Sequence, residues 1–240
     1  MFFQGTEAGS FTSQDGEKMT LSVRANLATQ LLGFSLLKNT EQGFSFRKWM
    51  KSNKPGWLFL LTKPDQREAL LPLMSAWVDV FMNSLMSLDP EEKRGVWFLM
   101  DELPALQEIP SLKTLLAESR KYGGCVMAGI QNIQQFSNIY GQTQAQALLD
   151  LFNTYIFFRT TNPETTRWIS QVLGEVEETE SQENLSYGAH EMRDGVSLSR
   201  YTKVKSLVMP TELNQLNDCE AFIKLPGAYP VTRIKMGYKN

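Results

Sequence analysis

At 240 residues, with 42% hydrophobic residues, 21% charged residues and a formal net charge of −2, the chain has the composition of a globular domain and excludes a disordered or collagen-like one. The near-neutral balance also excludes a protein that holds polyanions by overall charge, so nucleic-acid contact must come from local patches or from several copies. Two cysteines, Cys125 and Cys219, make no disulfide framework, and a single histidine, His190, leaves no Cys/His metal-ligand spacing.

The opening "MFFQGTEAGSFTSQ" lacks the basic flank and long apolar block of a signal peptide, and reads as a chain entered midway. From about Lys18 to Lys38, Leu21, Ala25, Ala28 and Leu32 recur at helical spacing. Glycine, proline and charge in "NTEQGFSFRKWMKSNKPG" then mark a boundary. "GWLFLLT", between Pro55-Gly56 and Pro64, is a short apolar run of the kind expected of a strand buried on both faces. It is far too short to span a bilayer. A long helix follows, with Pro72 near its first turns and an end before Asp89-Pro90.

Residues 95–100 read as the next strand, and a helix from about Ser111 to Lys121 stops at Gly123-Gly124. "CVMAGI" is a third strand, with Cys125 as a small buried hydrophobe. A glutamine-rich helical region runs to about Phe152, and "TYIFFRT" is a fourth strand. Asn162 caps a helix that has Pro163 at its first position. Residues 175 to about 205 are polar and aperiodic, an exposed excursion or a hairpin, and two short strands flank Pro226-Gly227. Four apolar strands, three of them followed by helices, predict an α/β protein with a mostly parallel sheet.

Ligands of parallel sheets bind beyond the carboxyl ends of the strands. Three strands place polar residues there: Asp101-Glu102 in "VWFLMDELPAL", Gln131, and Arg159. Nucleoside triphosphate hydrolysis needs a cation to neutralise phosphate charge and a group to orient the attacking water. Asp101 suits Mg²⁺ held through its water shell, and Glu102 suits polarisation of the nucleophile. Adjacent strand positions point to opposite faces, which lets the two acids diverge. Gln131 is placed to bond the terminal phosphate or the water, and Arg120 to reach a neighbouring subunit's phosphate.

Each residue also has a plainer reading. Asp101-Glu102 could be a solvated strand end, Gln131 an ordinary polar terminus, and Arg120 a cation welcomed by a helix dipole. Arg159 reads best as a structural ion-pair partner, and His190 as solvated. The clusters Arg47/Lys48/Lys51/Lys54 and Arg200/Lys203/Lys205 are solvated faces or, less often, nucleic-acid contacts. No G-x-x-x-x-G-K-[ST] loop occurs in the 240 residues, so a phosphate cradle is expected upstream in a longer parent chain.

The order of three motifs, "GVWFLMDELPAL", "LLAESRKYGGCVMAGIQNIQQF" and "YIFFRTTNPETTRWISQVLGE", resembles the motor domain of type IV secretion coupling proteins, above all the TraD-like branch. These are ring-forming RecA-like ATPases related to FtsK/HerA-type DNA translocases. The resemblance spans roughly residues 45–240. It implies a RecA-like P-loop NTPase-type fold lacking its P-loop portion, with residues 1–44 as the remnant of an all-α insertion domain and 45–240 as the Walker B half of the motor. It implies Asp101 and Glu102 as Walker B acids, Gln131 as the residue sensing the terminal phosphate, and Arg120 as the arginine offered across the subunit boundary. It also implies ATP and Mg²⁺ as cofactors of the parent, a hexameric ring, and partners in single-stranded DNA, relaxase and secretion-channel proteins at the cytoplasmic face of the inner membrane. The alternatives are a non-catalytic docking module of the same fold, or a chromosomal translocase of double-stranded DNA.

Overall fold

The computed structural model describes residues 17–37, 43–52, 54–91, 94–186 and 195–237. His190 and the opening segment lie outside them. The chain divides into two compact units: residues 1–130 with 136–151, and residues 131–135 with 152–240.

In the first unit, helix α1 (Glu17–Ser35) and the long helix α3 (Arg67–Met86) pack on each other. A six-residue helix, α2 (Phe46–Lys51), sits where the broken pattern predicted only a boundary. Ser45 starts it, its hydroxyl accepting from the Lys48 N–H. Aromatic packing then holds it in place. Phe46 and Trp49 lie 5.8 and 5.4 Å from Phe81 of α3, and Phe81 lies 5.3 Å from Phe98. Phe98 belongs to strand β1 (Val96–Met100), so the chain of rings ties α2 through α3 to the sheet.

Helix α3 buries Leu73, Val78, Met82 and Leu85, each contributing roughly 2 kcal/mol in removed apolar surface. Residues 64–86 are long and apolar enough, by length and composition, to cross a membrane. No uninterrupted apolar run showed this in the sequence because Ser75, Asp79 and Asn83 interrupt it. Its buried stripe is that of a core helix.

Strand β1 pairs in parallel with β2 (Gly124–Ala128), Val96 opposite Gly124 through Met100 opposite Ala128. Between them run α4 (Leu112–Glu118) and a 3-10 turn over Ser119–Tyr122. Helices α5 (Ile133–Tyr140) and α6 (Gln142–Leu149), separated at Gly141, make up the expected glutamine-rich helical region. One face of the β1–β2 ladder, at Phe98, is buried. The other leaves Trp97 63% and Met127 58% exposed. The predicted strand at 56–62 forms no ladder. Its alternate residues Trp57, Phe59 and Leu61 are 75%, 69% and 84% exposed.

In the second unit, β3 (Tyr155–Phe158) pairs antiparallel with β6 (Glu220–Lys224), and β6 with β7 (Thr232–Lys235). The parallel fourth strand of the sequence reading is therefore antiparallel here, because its partner comes from the distant chain end. Helix α7 (Pro163–Leu173) starts as expected, with the Asn162 side chain accepting from the Glu164 and Thr165 N–H groups. Ile169 and Leu173 of α7 pack with Phe157, Phe222 and Leu213, the last from helix α8 (Pro210–Asn214). Strands β4 (Glu175–Ser186) and β5 (Gly195–Ser206) form a separate antiparallel hairpin. The α/β class stands, with a parallel ladder in the first unit and antiparallel sheets in the second.

Candidate active site

The β1–β2 ladder is closed at both ends by glycine. At its start the Val96 N–H donates to Gly123 O at 3.0 Å. Gly123 has φ +75, and a Cβ there would lie 1.6 Å from Arg94 O. At the carboxyl end, Gly129 N–H donates to Met100 O at 2.8 Å and Leu103 N–H to Gly129 O at 2.9 Å. A Cβ on Gly129 would stand 1.9 Å from the Asp101 carbonyl oxygen, so only glycine lets the two strand tips approach this closely.

That clamp fixes the turn bearing the two acids, and their surroundings differ. Asp101 is exposed. The Glu102 carboxylate oxygens are both buried, and neither has a hydrogen-bond partner among the described residues. Leu103 and Pro104, which follow, are buried and anchor the turn from below. A carboxylate removed from water without a partner is costly, and such groups call for a ligand, an ion or a reacting water to explain them.

The chain leaving the acids is secured by three side chains from other helices. The Gln107 N–H donates to Ser75 Oγ at 3.1 Å, and the Ile109 N–H to the Tyr140 hydroxyl at 3.3 Å. Asp79 Oδ1 accepts from the Ser111 N–H at 2.9 Å and from its hydroxyl at 2.5 Å. Burial raises the Tyr140 pKa above its ordinary value. None of Ser75, Asp79, Tyr140 or Gly129 was singled out from the sequence, because each matters only through a partner about thirty positions away.

The remaining candidates lie elsewhere. Arg120 is exposed in the 3-10 turn ahead of β2 and makes no ion pair among the described residues. The strands are parallel, so it stands at the opposite end of the ladder from Asp101, on the order of 15 Å away for five strand residues. It does not serve the acids of its own chain. Gln131 is exposed, three positions beyond the end of β2, and falls within the second unit. Arg159 is the ion-pair partner anticipated for it: its guanidinium bonds Asp218 at 2.8 Å and Leu216 O at 3.5 Å. An open depression of about 290 Å³ lined by Pro64, Asp65, Arg67, Glu68 and Leu71 shares no residue with the acids' turn.

Among the described residues no three His, Cys, Asp or Glu side chains are grouped to enclose a metal ion. Magnesium in phosphoryl-transfer sites needs no such cage, since one or two carboxylates suffice beside water and phosphate oxygens. An exposed Asp101 next to a buried, unpartnered Glu102 fits that donor set.

A strand here ends in paired acids inside an α/β unit whose ladder has one bare face, and the chain belongs to the family described as the type IV secretion-system coupling protein DNA-binding domain, which matches residues 1–237. It is 33% identical to the coupling protein TraD of Escherichia coli strain K12 over all of this chain and 34% of that protein. It is 26% identical to protein VirD4 of Rhizobium radiobacter over 85% of this chain and 29% of that protein. Among solved structures it resembles the unbound bacterial conjugative coupling protein TrwBdeltaN70, with TM-score 0.81 and 32% identity over the whole chain and 54% of that one. The plasmid coupling protein TrwB in complex with ADP and Mg²⁺ aligns with TM-score 0.80, 32% identity and the same coverage. The chain thus spans about a third of the curated relatives and about half of the solved ones.

Proposed function

We propose that this chain is the acid-bearing half of an ATP-driven motor that couples a relaxase-bound single DNA strand to a type IV secretion channel. The observation that carries the reading is the buried Glu102 carboxylate without a partner. A docking module of the same fold has no use for such a group, whereas a general base must keep its oxygens free for water. Bound Mg²⁺–nucleotide supplies an electrophilic phosphorus and neutralises its oxygens. Asp101 would hold the metal through water, Glu102 would orient the attacking water and take its proton, and Gln131 would answer to the terminal phosphate. Arg120, with no ion pair among the described residues and on the order of 15 Å from its own acids, is offered to the neighbouring copy in a hexameric ring.

The phosphate cradle is supplied by another part of the parent protein, since the 240 residues contain no P-loop. The bare row Trp57, Phe59, Leu61 and the bare face at Trp97 and Met127 support that reading, because parallel sheets are normally covered on both faces. Residues 1–44 are assigned to an inserted all-α domain and 45–240 to the motor, acting at the cytoplasmic face of the inner membrane.

The test is DNA-stimulated ATP turnover by the full-length parent. Glu102→Gln is expected to lower it by about 10²–10⁴ while leaving nucleotide binding intact. Turnover within a few-fold of the unaltered protein would remove Glu102 from the reaction. The 240-residue chain alone is expected to show no tight Mg²⁺-dependent ATP binding by calorimetry.

A further inference from the structure

The sequence holds two runs of cations, and the structure separates them. In the β4–β5 hairpin the lysines are compensated: Lys205 pairs with Glu178, and Glu178 is also the cross-strand partner of Lys203. Around α2 nothing compensates. Residues 43–64 contain no acid, while Arg47, Lys48, Lys51 and Lys54 fall within them. All four are exposed, and none makes an ion pair among the described residues.

Local structure turns the run into a patch. With 3.6 residues per turn, Arg47, Lys48 and Lys51 fall within an arc of about 100° on one side of α2. The other side is committed to the core, where Met50 is buried and Phe46 and Trp49 pack against Phe81. The acid on the half of α3 that α2 meets, Asp79, is already bonded to Ser111 and Asn83. A helix C-terminus favours Lys48 and Lys51, but it accounts for neither Arg47 nor Lys54. Uncompensated like charges repel one another, a cost that an anionic partner removes. Beside them Phe44 is 57% exposed, and an aromatic face next to cations is how proteins grip unpaired nucleic-acid strands.

We propose that residues 44–54 are a contact for a single nucleic-acid strand, with Arg47, Lys48, Lys51 and Lys54 taking backbone phosphates and Phe44 stacking on a base. Phosphate contacts carry no sequence information, which suits a strand that has to move. A membrane surface fits less well, because an interfacial helix needs a free apolar face to bury, and α2 has committed its own to Phe81. The inference rests on the reading of the parent as a handler of single-stranded DNA and adds where this chain touches the strand. It requires neither Glu102 nor a nucleotide, so the two can fail separately.

The test is the fluorescence anisotropy of labelled oligothymidylate titrated with the full-length parent, without nucleotide, over a series of salt concentrations. Lys48→Ala with Lys51→Ala removes two charges from the patch. It is expected to make the dependence of log K on log salt shallower by about 1.4 and to weaken binding roughly tenfold or more near 0.1 M salt. Relief of repulsion should leave its melting temperature no lower than that of the unaltered protein. Lys203→Ala with Lys205→Ala removes the same charge from the compensated hairpin and is expected to change affinity less than about twofold. Phe44→Ala is expected to weaken binding about fivefold with the slope kept, and affinity equal to that of the unaltered protein would overturn the stacking. A patch variant that keeps the original slope would overturn the proposal. So would equal losses from both lysine pairs, which report net charge alone. Lost binding to anionic phospholipid vesicles with DNA binding intact would overturn it by assigning the patch to a membrane.

Discussion

Two strand ends in this molecule carry charge, and they are solved in opposite ways. Beyond β3, Arg159 finds Asp218 and the Leu216 carbonyl and is satisfied on the surface. Beyond β1, Glu102 has its oxygens buried with no partner. A charged residue at a strand tip is therefore no site in itself. What separates the two is whether the protein completes the group's bonding or withholds it, and only withholding leaves something for a substrate to do.

The strongest way to break that comparison is to move the tip. Gly129→Ala forces a methyl against the Asp101 carbonyl and is expected to cost about 3 kcal/mol or to displace the acids' turn. A melting temperature within a degree or two of the parent's would show that the clamp is slack. Glu102→Gln sharpens it from the other side. Removing an unpaired buried charge is expected to leave stability unchanged or raise it by about 1–2 kcal/mol, whereas a structural carboxylate would lose stability on the same change. At the other tip, Arg159→Ala breaks a largely exposed pair and is expected to cost no more than about 1 kcal/mol in denaturant unfolding.

The smallest effect is one of pH. The Arg233 guanidinium, helped by Asn217, lowers the Glu220 pKa from 4.5 to about 2. A depressed carboxylate stabilises the fold fully above its unfolded value and loses that contribution as pH falls through its folded one. Acid titration of stability should therefore show a component between pH 4.5 and about 2 that Glu220→Gln removes.

Local chemistry was readable in advance; long-range pairing was not. The cap at Asn162-Pro163 and the stop at Gly123 depend on a few consecutive residues, and both formed where expected. The run at 56–62 was apolar enough for a strand, but a ladder needs a partner, and hydrophobicity does not name one. Strand β3 was recognised as a strand, while its antiparallel partner β6 lay more than sixty positions away. The acids at 101 and 102 stood out by position, and their unequal burial did not.

The exposed row of Trp57, Phe59 and Leu61, together with Trp97 and Met127, has a practical consequence at the bench. Expressed alone, the polypeptide will light up an environment-sensitive fluorophore such as ANS, engage holdase chaperones and tend to fall out of solution. Co-production with the cradle-bearing portion proposed above should quench that signal before any assay of turnover is attempted.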